Sequence, residues 1–454
     1  MITTSSMQLV LGLDDYRLHK HSERVPYAWR LHQVVNAHML LVGKSGNGKT
    51  FTLISLIGQM AQAPDPPRIH IMDVHGDIGI AGASSVRFSE SSPYGLNPLR
   101  ISADPDYGGP RRRIQDFLAT AGATRQLGTK QEAVLRTLLA ELYAANGFYL
   151  TKAGSWGLAD PAWHKPSSKK YPTLADCCRY AHNKHKQLAL GGDSQAASLL
   201  DRLNKAVAGF NLRLKQSGSK ALGPSDKDRL QDAIEKQREE VIQTYERYIR
   251  AIETGHELEQ SLRYNSVDVI KSVCERLDNL QATGIFKDGT PPFDPASSIW
   301  RYDIAPLREE EKRLFVEFRL QEVFAHALEQ GPVTGRLRHV IILDEAHLFF
   351  RDDPDNILNT IAKEGRKFGL ALVCASQSPT HFSDDFVANV ATKVVLGIDP
   401  MYWDGAIRKM RIELKTLRFI KPQHTLAVQM TLRGDTRPRF DMVNVAAGVW
   451  PEHA

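Results

Sequence analysis

Residues Gly43-Lys44-Ser45-Gly46-Asn47-Gly48-Lys49-Thr50 fit the pattern G-x-x-x-x-G-K-[ST]. More than any other stretch, this one limits the folds open to the chain. The pattern carries meaning only between a buried strand and a helix N-terminus, and both flanks comply. Met39-Leu40-Leu41-Val42 is short and wholly apolar, and Phe51 to Met60 is apolar at helical spacing. Glycines in such a loop let successive backbone N–H groups point inward around phosphates, and the helix start adds partial positive charge. Lys49 then reaches the β- and γ-phosphates, and the Thr50 hydroxyl ligates Mg²⁺. Gly43 through Thr50 are therefore the candidate nucleotide-binding residues, with ATP and Mg²⁺ as the expected ligands. The competing reading is a chance glycine-rich turn, which both flanks disfavour.

A second strand supplies the acids such a site needs. His339-Val340-Ile341-Ile342-Leu343 is apolar on both faces, as a strand inside a parallel sheet is, and it ends in Asp344-Glu345. Asp344 is placed to hold Mg²⁺, and Glu345 to polarise the water that attacks the γ-phosphate. Capping alone would also explain an Asp-Glu strand end. Farther on, Gly369 to Ser376 reads as an apolar strand ending in Gln377, a polar side chain placed to sense the γ-phosphate. Arg366, in the basic step Gly365-Arg366-Lys367, is either an arginine finger for a neighbouring subunit or a surface ion-pair partner. Arg68 to Asp73 is a further strand, ending in the turn Asp73-Val74-His75-Gly76-Asp77. That turn lies at the sheet edge where ligands bind, although an Asp there also serves as a plain turn cap.

Elsewhere the pattern is helical. Val134, Leu135, Leu138, Leu139, Leu142 and Tyr143 share one face of a predicted helix, and 226–262 reads as a long charged helix with Ile234, Val241 and Tyr248 every seven residues. Between them, 147–172 mixes Gly and Pro with Trp156, Trp163, Lys165, Lys169 and Lys170. An exposed loop is favoured there over a single-strand binding surface. Near the C-terminal end, Arg408, Lys409, Arg411, Lys415, Arg418 and Lys421 form a basic run, either a phosphate-contacting face or a solvated one. The resulting division is a lead-in over 1–36, a first core part over 37–104, a helical insertion over 105–290, a second core part over 291–445 and a tail over 446–454.

A net charge of +6 suits a nucleic-acid partner without requiring one. Cys177, Cys178, Cys274 and Cys374 lack zinc-ligand spacing and read as reduced core thiols. No apolar run reaches membrane-spanning length and no signal-peptide pattern opens the chain, so the expectation is a cytoplasmic protein without an anchor of its own.

Three stretches together, Gly43–Thr50, Ile341 to His347, and Gly365 to Gly369 with Ala375-Ser376-Gln377, resemble the HerA/FtsK superfamily, especially the HerA branch and related conjugation ATPases. Asp73-Val74-His75-Gly76 and Leu96-Asn97-Pro98-Leu99 resemble its connecting motifs. The resemblance covers roughly 35–105 and 290–445. It implies an α/β fold of the RecA-like (ASCE) P-loop type, with a mostly parallel sheet and a helical insertion. It further implies a ring, usually a hexamer, with ATP at subunit interfaces and double-stranded DNA pumped through the centre. Carried over, Lys49 and Thr50 take the phosphate-loop positions, Asp344 and Glu345 the Mg²⁺ and catalytic positions, Gln377 the sensor position and Arg366 that of the finger. HerA proteins usually carry a β-barrel domain before the phosphate loop, where about forty residues stand here. A compact HerA-like ATPase with a separate nuclease or other effector, as in anti-phage defence or repair, reconciles these features. The alternatives are a conjugation or secretion ATPase that energises a channel, and a nucleotide-gated scaffold for an effector.

Overall fold

The computed structural model describes residues 7–124, 126–159, 169–190, 202–203, 205–207, 209–211, 224–250, 264, 266–351, 353 and 356–445. Trp163, Lys165 and the tail 446–454 lie outside these, as does the end of the long charged helix. The chain forms two compact units, Met1–Thr124 with Ala153–Asp160 and Thr283–Ala454, and Arg125–Lys152 with Pro161–Ala282.

The first unit is built on one sheet of 11 strands. In chain order they are β1 (Gln8–Asp14), β2 (Pro26–Arg30), β3 (Met39–Val42), β4 (Arg68–Asp73), β5 (Ser84–Arg87), β6 (Ile299–Asp303), β7 (His339–Leu343), β8 (Leu370–Ser376), β9 (Thr392–Val395), β10 (Thr425–Met430) and β11 (Phe440–Asn444). Across the sheet the order is β2-β1-β11-β10-β9-β3-β8-β7-β4-β6-β5. Neighbours from β9 to β5 pair in parallel, and those from β9 back to β2 pair antiparallel. Every residue of β3, β7 and β8 is buried, which explains why these strands read as continuous apolar runs.

This order fixes the site. β8 runs between the phosphate-loop strand β3 and the acidic strand β7, with Val42 opposite Ser376 and Leu343 opposite Cys374. The strand tips carrying Gly43, Gln377 and Asp344 therefore stand side by side on one edge. Residues of the N-terminal lead-in complete the sheet. β1 pairs with both β2 and β11, and buried Trp29 donates its indole N–H to Thr392 Oγ1 at 3.1 Å.

Of the helices in this unit, α1 spans Asp15–His21, α2 Lys49–Ala61 and α3 Gly109–Thr124. α3 lies within the stretch expected as insertion, yet it belongs to this unit. Arg113 on it donates to the Pro98 carbonyl at 2.6 Å, and Phe117 packs against Phe318. The second unit holds α4 (Thr129–Ala145), α5 (Leu174–Leu190), α6 (Pro224–Arg250) and α7 (Val267–Ala282). The predicted α4 face, Val134 to Tyr143, is buried. On its other side Glu141 accepts hydrogen bonds from Tyr180 and Tyr264 and pairs with Lys184 at 3.3 Å. Back in the first unit come α8 (Glu309–Glu329), α9 (Ile357–Glu364), α10 (Asp384–Asn389), α11 (Trp403–Met410) and α12 (Leu414–Phe419). All four cysteines are buried free thiols, and burial pushes the Cys374 thiol up to about 12. Among the described residues no helix is long and apolar enough to cross a membrane.

Candidate nucleotide site

The loop between β3 and α2 is held open from several sides. Gly46 and Gly48 have φ of +81° and +90°, in the left-handed region where a side chain is strained, so only glycine turns the backbone here without cost. Gly43 N–H donates to Ser376 O at 3.1 Å, and Lys44 N–H to Gly397 O at 2.8 Å. Asn47 Nδ2 reaches the same Gly397 carbonyl at 2.9 Å, and Gln423 Nε2 donates to Gly46 O at 3.0 Å. Lys44 pairs with Asp399 at 3.1 Å. The loop is thus bound on one side to the tip of β8 and on the other to the segments after β9 and α12. Gly48 caps α2 with no side-chain partner, which leaves the positive end of that helix facing the loop.

Lys49 is folded back into this cradle. Its Nζ donates to Gly43 O at 3.0 Å and lies 3.9 Å from Glu345 Oε1, with only 7% of the side chain exposed. Such an ammonium is poised to exchange these partners for phosphate oxygens. At the tip of β7, Asp344 is buried, and burial together with the Glu345 and Asp77 carboxylates pushes it up to about 6. His75 and Lys49 oppose that rise. Glu345 behaves in the opposite way. The adjacent His347 imidazole holds its carboxyl below the usual range against the effect of burial, and Lys49 assists. The Glu345 backbone is left-handed, with φ of +52°. Crowded carboxylates beside a lysine and a hydroxyl-bearing loop suit a divalent cation, because a bound cation relieves the repulsion that lifts Asp344. Among the described residues no group of three or more His, Cys, Asp or Glu forms a metal cage.

The remaining candidates divide. Gln377 follows Ser376 and is exposed beside Gly43, where a γ-phosphate would meet it. Arg366 is exposed but lies before the first residue of β8. The seven residues of that strand set it about 20 Å from the phosphate-loop edge. It instead lines a cavity of about 720 Å³ with Arg112, Arg336, Lys363, Lys367 and Arg433. Asp73 is no ligand. Its carboxylate accepts from the backbone N–H groups of His75, Gly76 and Ile78 and pairs with Arg301 Nη2 at 2.6 Å, which leaves it no free acceptor for a cation. Asp77 and His75, from the same turn, do act on Asp344. Sequence reasoning missed Asp399, Gln423, His347 as a side chain beside Glu345, and a cavity of about 390 Å³ lined by Asn47, Phe51, Leu396, Gln423, Thr425 and Leu426. Of these, only His347 had a signal in the sequence, two residues beyond Glu345.

Comparison with known proteins agrees with this geometry. Residues 17–317 match the family model described as the central domain of helicase HerA. The DNA double-strand break repair helicase HerA of Pyrococcus furiosus is 28% identical over 226 residues, 47% of this chain and 39% of that protein. A probable helicase of Methanocaldococcus jannaschii is 40% identical over 63 residues, 13% of this chain and 12% of that protein. The aligned part thus spans well under half the length of these curated relatives. Among solved structures, VirB4 of Thermoanaerobacter pseudethanolicus superposes with a TM-score of 0.57 over 97% of both chains at 16% identity, which shows the shared RecA-like P-loop fold.

Proposed function

The chain belongs to the HerA helicase central-domain family, and from that premise we propose that it is an ATP-driven motor that translocates double-stranded DNA. The observation that carries the reading is the approach of Lys49 and Glu345 to 3.9 Å at one sheet edge, which joins phosphate binding to water activation. The triphosphate lies along Gly43–Thr50, and Lys49 turns from Gly43 O and Glu345 to the β/γ-phosphates. Glu345, freed from the ammonium, takes the proton of the attacking water as general base. Thr50 and Asp344 would hold Mg²⁺, which when bound would supply positive charge to the triphosphate. Gln377 orients the water from the neighbouring strand tip. The base lies in the cavity beside Phe51, between α2 and β10.

Arg366 stands about 20 Å from its own loop, and we assign it to the nucleotide of a neighbouring subunit, in a ring that we take to be a hexamer. Such a finger is worth roughly 10³-fold or more in rate. A separate nuclease or other effector completes the system, in repair or in anti-phage defence. The test is steady-state phosphate release by the purified protein at moderate salt, with and without linear duplex DNA. Stimulation of several-fold supports a DNA motor. Robust hydrolysis indifferent to DNA overturns it in favour of a conjugation or secretion ATPase, and bound nucleotide without turnover favours the scaffold.

A further inference from the structure

Two imidazoles stand in contact between the tips of β7 and β8, and the chemistry outlined above leaves both unused. His347 lies on the short 3-10 segment Ala346–Leu348, and its Nδ1 is 3.2 Å from Glu345 Oε2. Both atoms are shielded from solvent, and among the described residues neither has a partner of hydrogen-bond geometry, so the pair meets as a close N···O contact. The His347 ring lies 4.9 Å from that of His381, at an interplanar angle of 37°. His381 ends the segment Pro379–His381 just beyond β8, and its Nδ1 is 3.0 Å from Ser376 Oγ. The carbonyl of the same Ser376 accepts the Gly43 N–H. The ring of Tyr402, on the segment held by Asp399, meets His381 edge-on at 6.2 Å. A continuous run therefore leads from the Glu345 carboxylate through His347, His381 and Ser376 to the first residue of the phosphate loop.

Glu345 needs such support. Its left-handed backbone is strained for a residue with a Cβ, and a carboxylate on three rotatable bonds does not hold one direction by itself. A general base displaced by about 1 Å loses on the order of 10²-fold in rate. We propose that His347 and His381 are positioning residues for hydrolysis. His381, fixed on Ser376, props the His347 ring, and His347 fixes the direction of the Glu345 carboxylate toward the attacking water. The inference deepens the ATP-hydrolase reading and rests on it. A pair that only fills space between two strand tips makes a different prediction, because its loss loosens the phosphate loop and chemistry together.

The experiment compares the full-length protein with His347→Ala, His381→Ala and His347→Asn, in which the amide nitrogen stands near the position of Nδ1. It reads kcat for ATP and, separately, the Kd of a fluorescent ADP. The positioning role predicts kcat down about 10- to 100-fold in both alanine variants, Kd within twofold of the parent, and kcat for His347→Asn within a few-fold of the parent. Parental kcat in either alanine variant overturns the proposal, as does a Kd that weakens in step with kcat or an asparagine variant no better than alanine. A parent protein that binds ADP yet releases no phosphate sinks the hydrolase reading, and the positioning role with it. Turnover by the parent with any of the other failures sinks the positioning role alone.

Discussion

Lys49 and Glu345 stand 3.9 Å apart, and in the proposed mechanism they serve different steps that substitution separates. Removing the Lys49 amine takes a buried positive charge from the phosphate cradle. Lys49→Ala should weaken nucleotide binding and abolish turnover together, as read by a fluorescent nucleotide and by phosphate release. Glu345→Gln keeps shape and removes only the proton acceptor. It should bind ATP near the parental level and hydrolyse it at least 10²-fold more slowly. Hydrolysis at the parental rate in Glu345→Gln would remove Glu345 from the chemistry. Asp73 sits on the same sheet edge with the opposite destiny. It is fully buried, satisfied by three backbone N–H groups and ion-paired with Arg301, whose side chain is only 15% exposed. Asp73→Ala leaves that guanidinium without its partner and the turn without its cap. The loss should be about 3–5 kcal/mol of stability, seen as a lower urea midpoint. The variant should bind nucleotide normally wherever it remains folded, since Asp73 touches no part of the loop.

At the scale of elements, the strands that position the site were readable because burial on both faces strips them of polar residues. β3, β7 and β8 each stand in the sequence as an apolar run with a candidate site residue at its tip. β5 was not readable, because Val86 is its one buried residue and its neighbours are serine and arginine. The strands of the antiparallel edge were readable, but the pairing of β1 with β11 was not, because β11 comes from the far end of the chain and no local pattern records a partner that distant. The same reason divides the site. The phosphate loop and the Asp-Glu tip are contiguous in sequence, whereas Lys44 meets Asp399 and Gly46 meets Gln423 only through the fold. Gly369 joins the Gly365–Phe368 turn to β8 with φ of +71°, and a Cβ there would stand 2.7 Å from Val333 Cγ1 and 3.0 Å from Arg336 O. Gly369→Ala should therefore cost about 2 kcal/mol or more, from left-handed backbone strain plus the clash. Denaturation at unchanged m-value measures it, and a variant as stable as the parent would mean the turn relaxes freely.

For the whole molecule, buried histidines govern the response to acid. His38 Nδ1 accepts from Leu372 N–H at 3.0 Å while its Nε2 has no partner, and burial alone pushes it down to about 4. His339 is pushed down to about 4 by burial and then by its neighbours His326, Arg68 and Arg338. His70, enclosed between Tyr302 and His339, falls well below the ordinary value, through burial first and then His339, Arg319 and Arg68. A histidine whose folded pKa is depressed binds its proton more readily when unfolded. Its cost is absent above about pH 6.5 and grows as pH falls toward 4, where the folded protein at last takes up the proton. Asp344, raised to about 6, works the other way from about pH 6 downward, because the folded state protonates first. Among these four groups the histidines outnumber the carboxyl, so together they favour proton uptake on unfolding near pH 5, and each proton taken up costs about 1.4 kcal/mol of stability per pH unit. Urea unfolding at pH 7, 6 and 5 should show this decline. His339→Gln, which keeps a polar side chain but does not titrate, should reduce the slope by about one proton. A pH-independent midpoint over that range would mean that these imidazoles reach water in the folded protein, and a slope unchanged by His339→Gln would assign the effect to other groups.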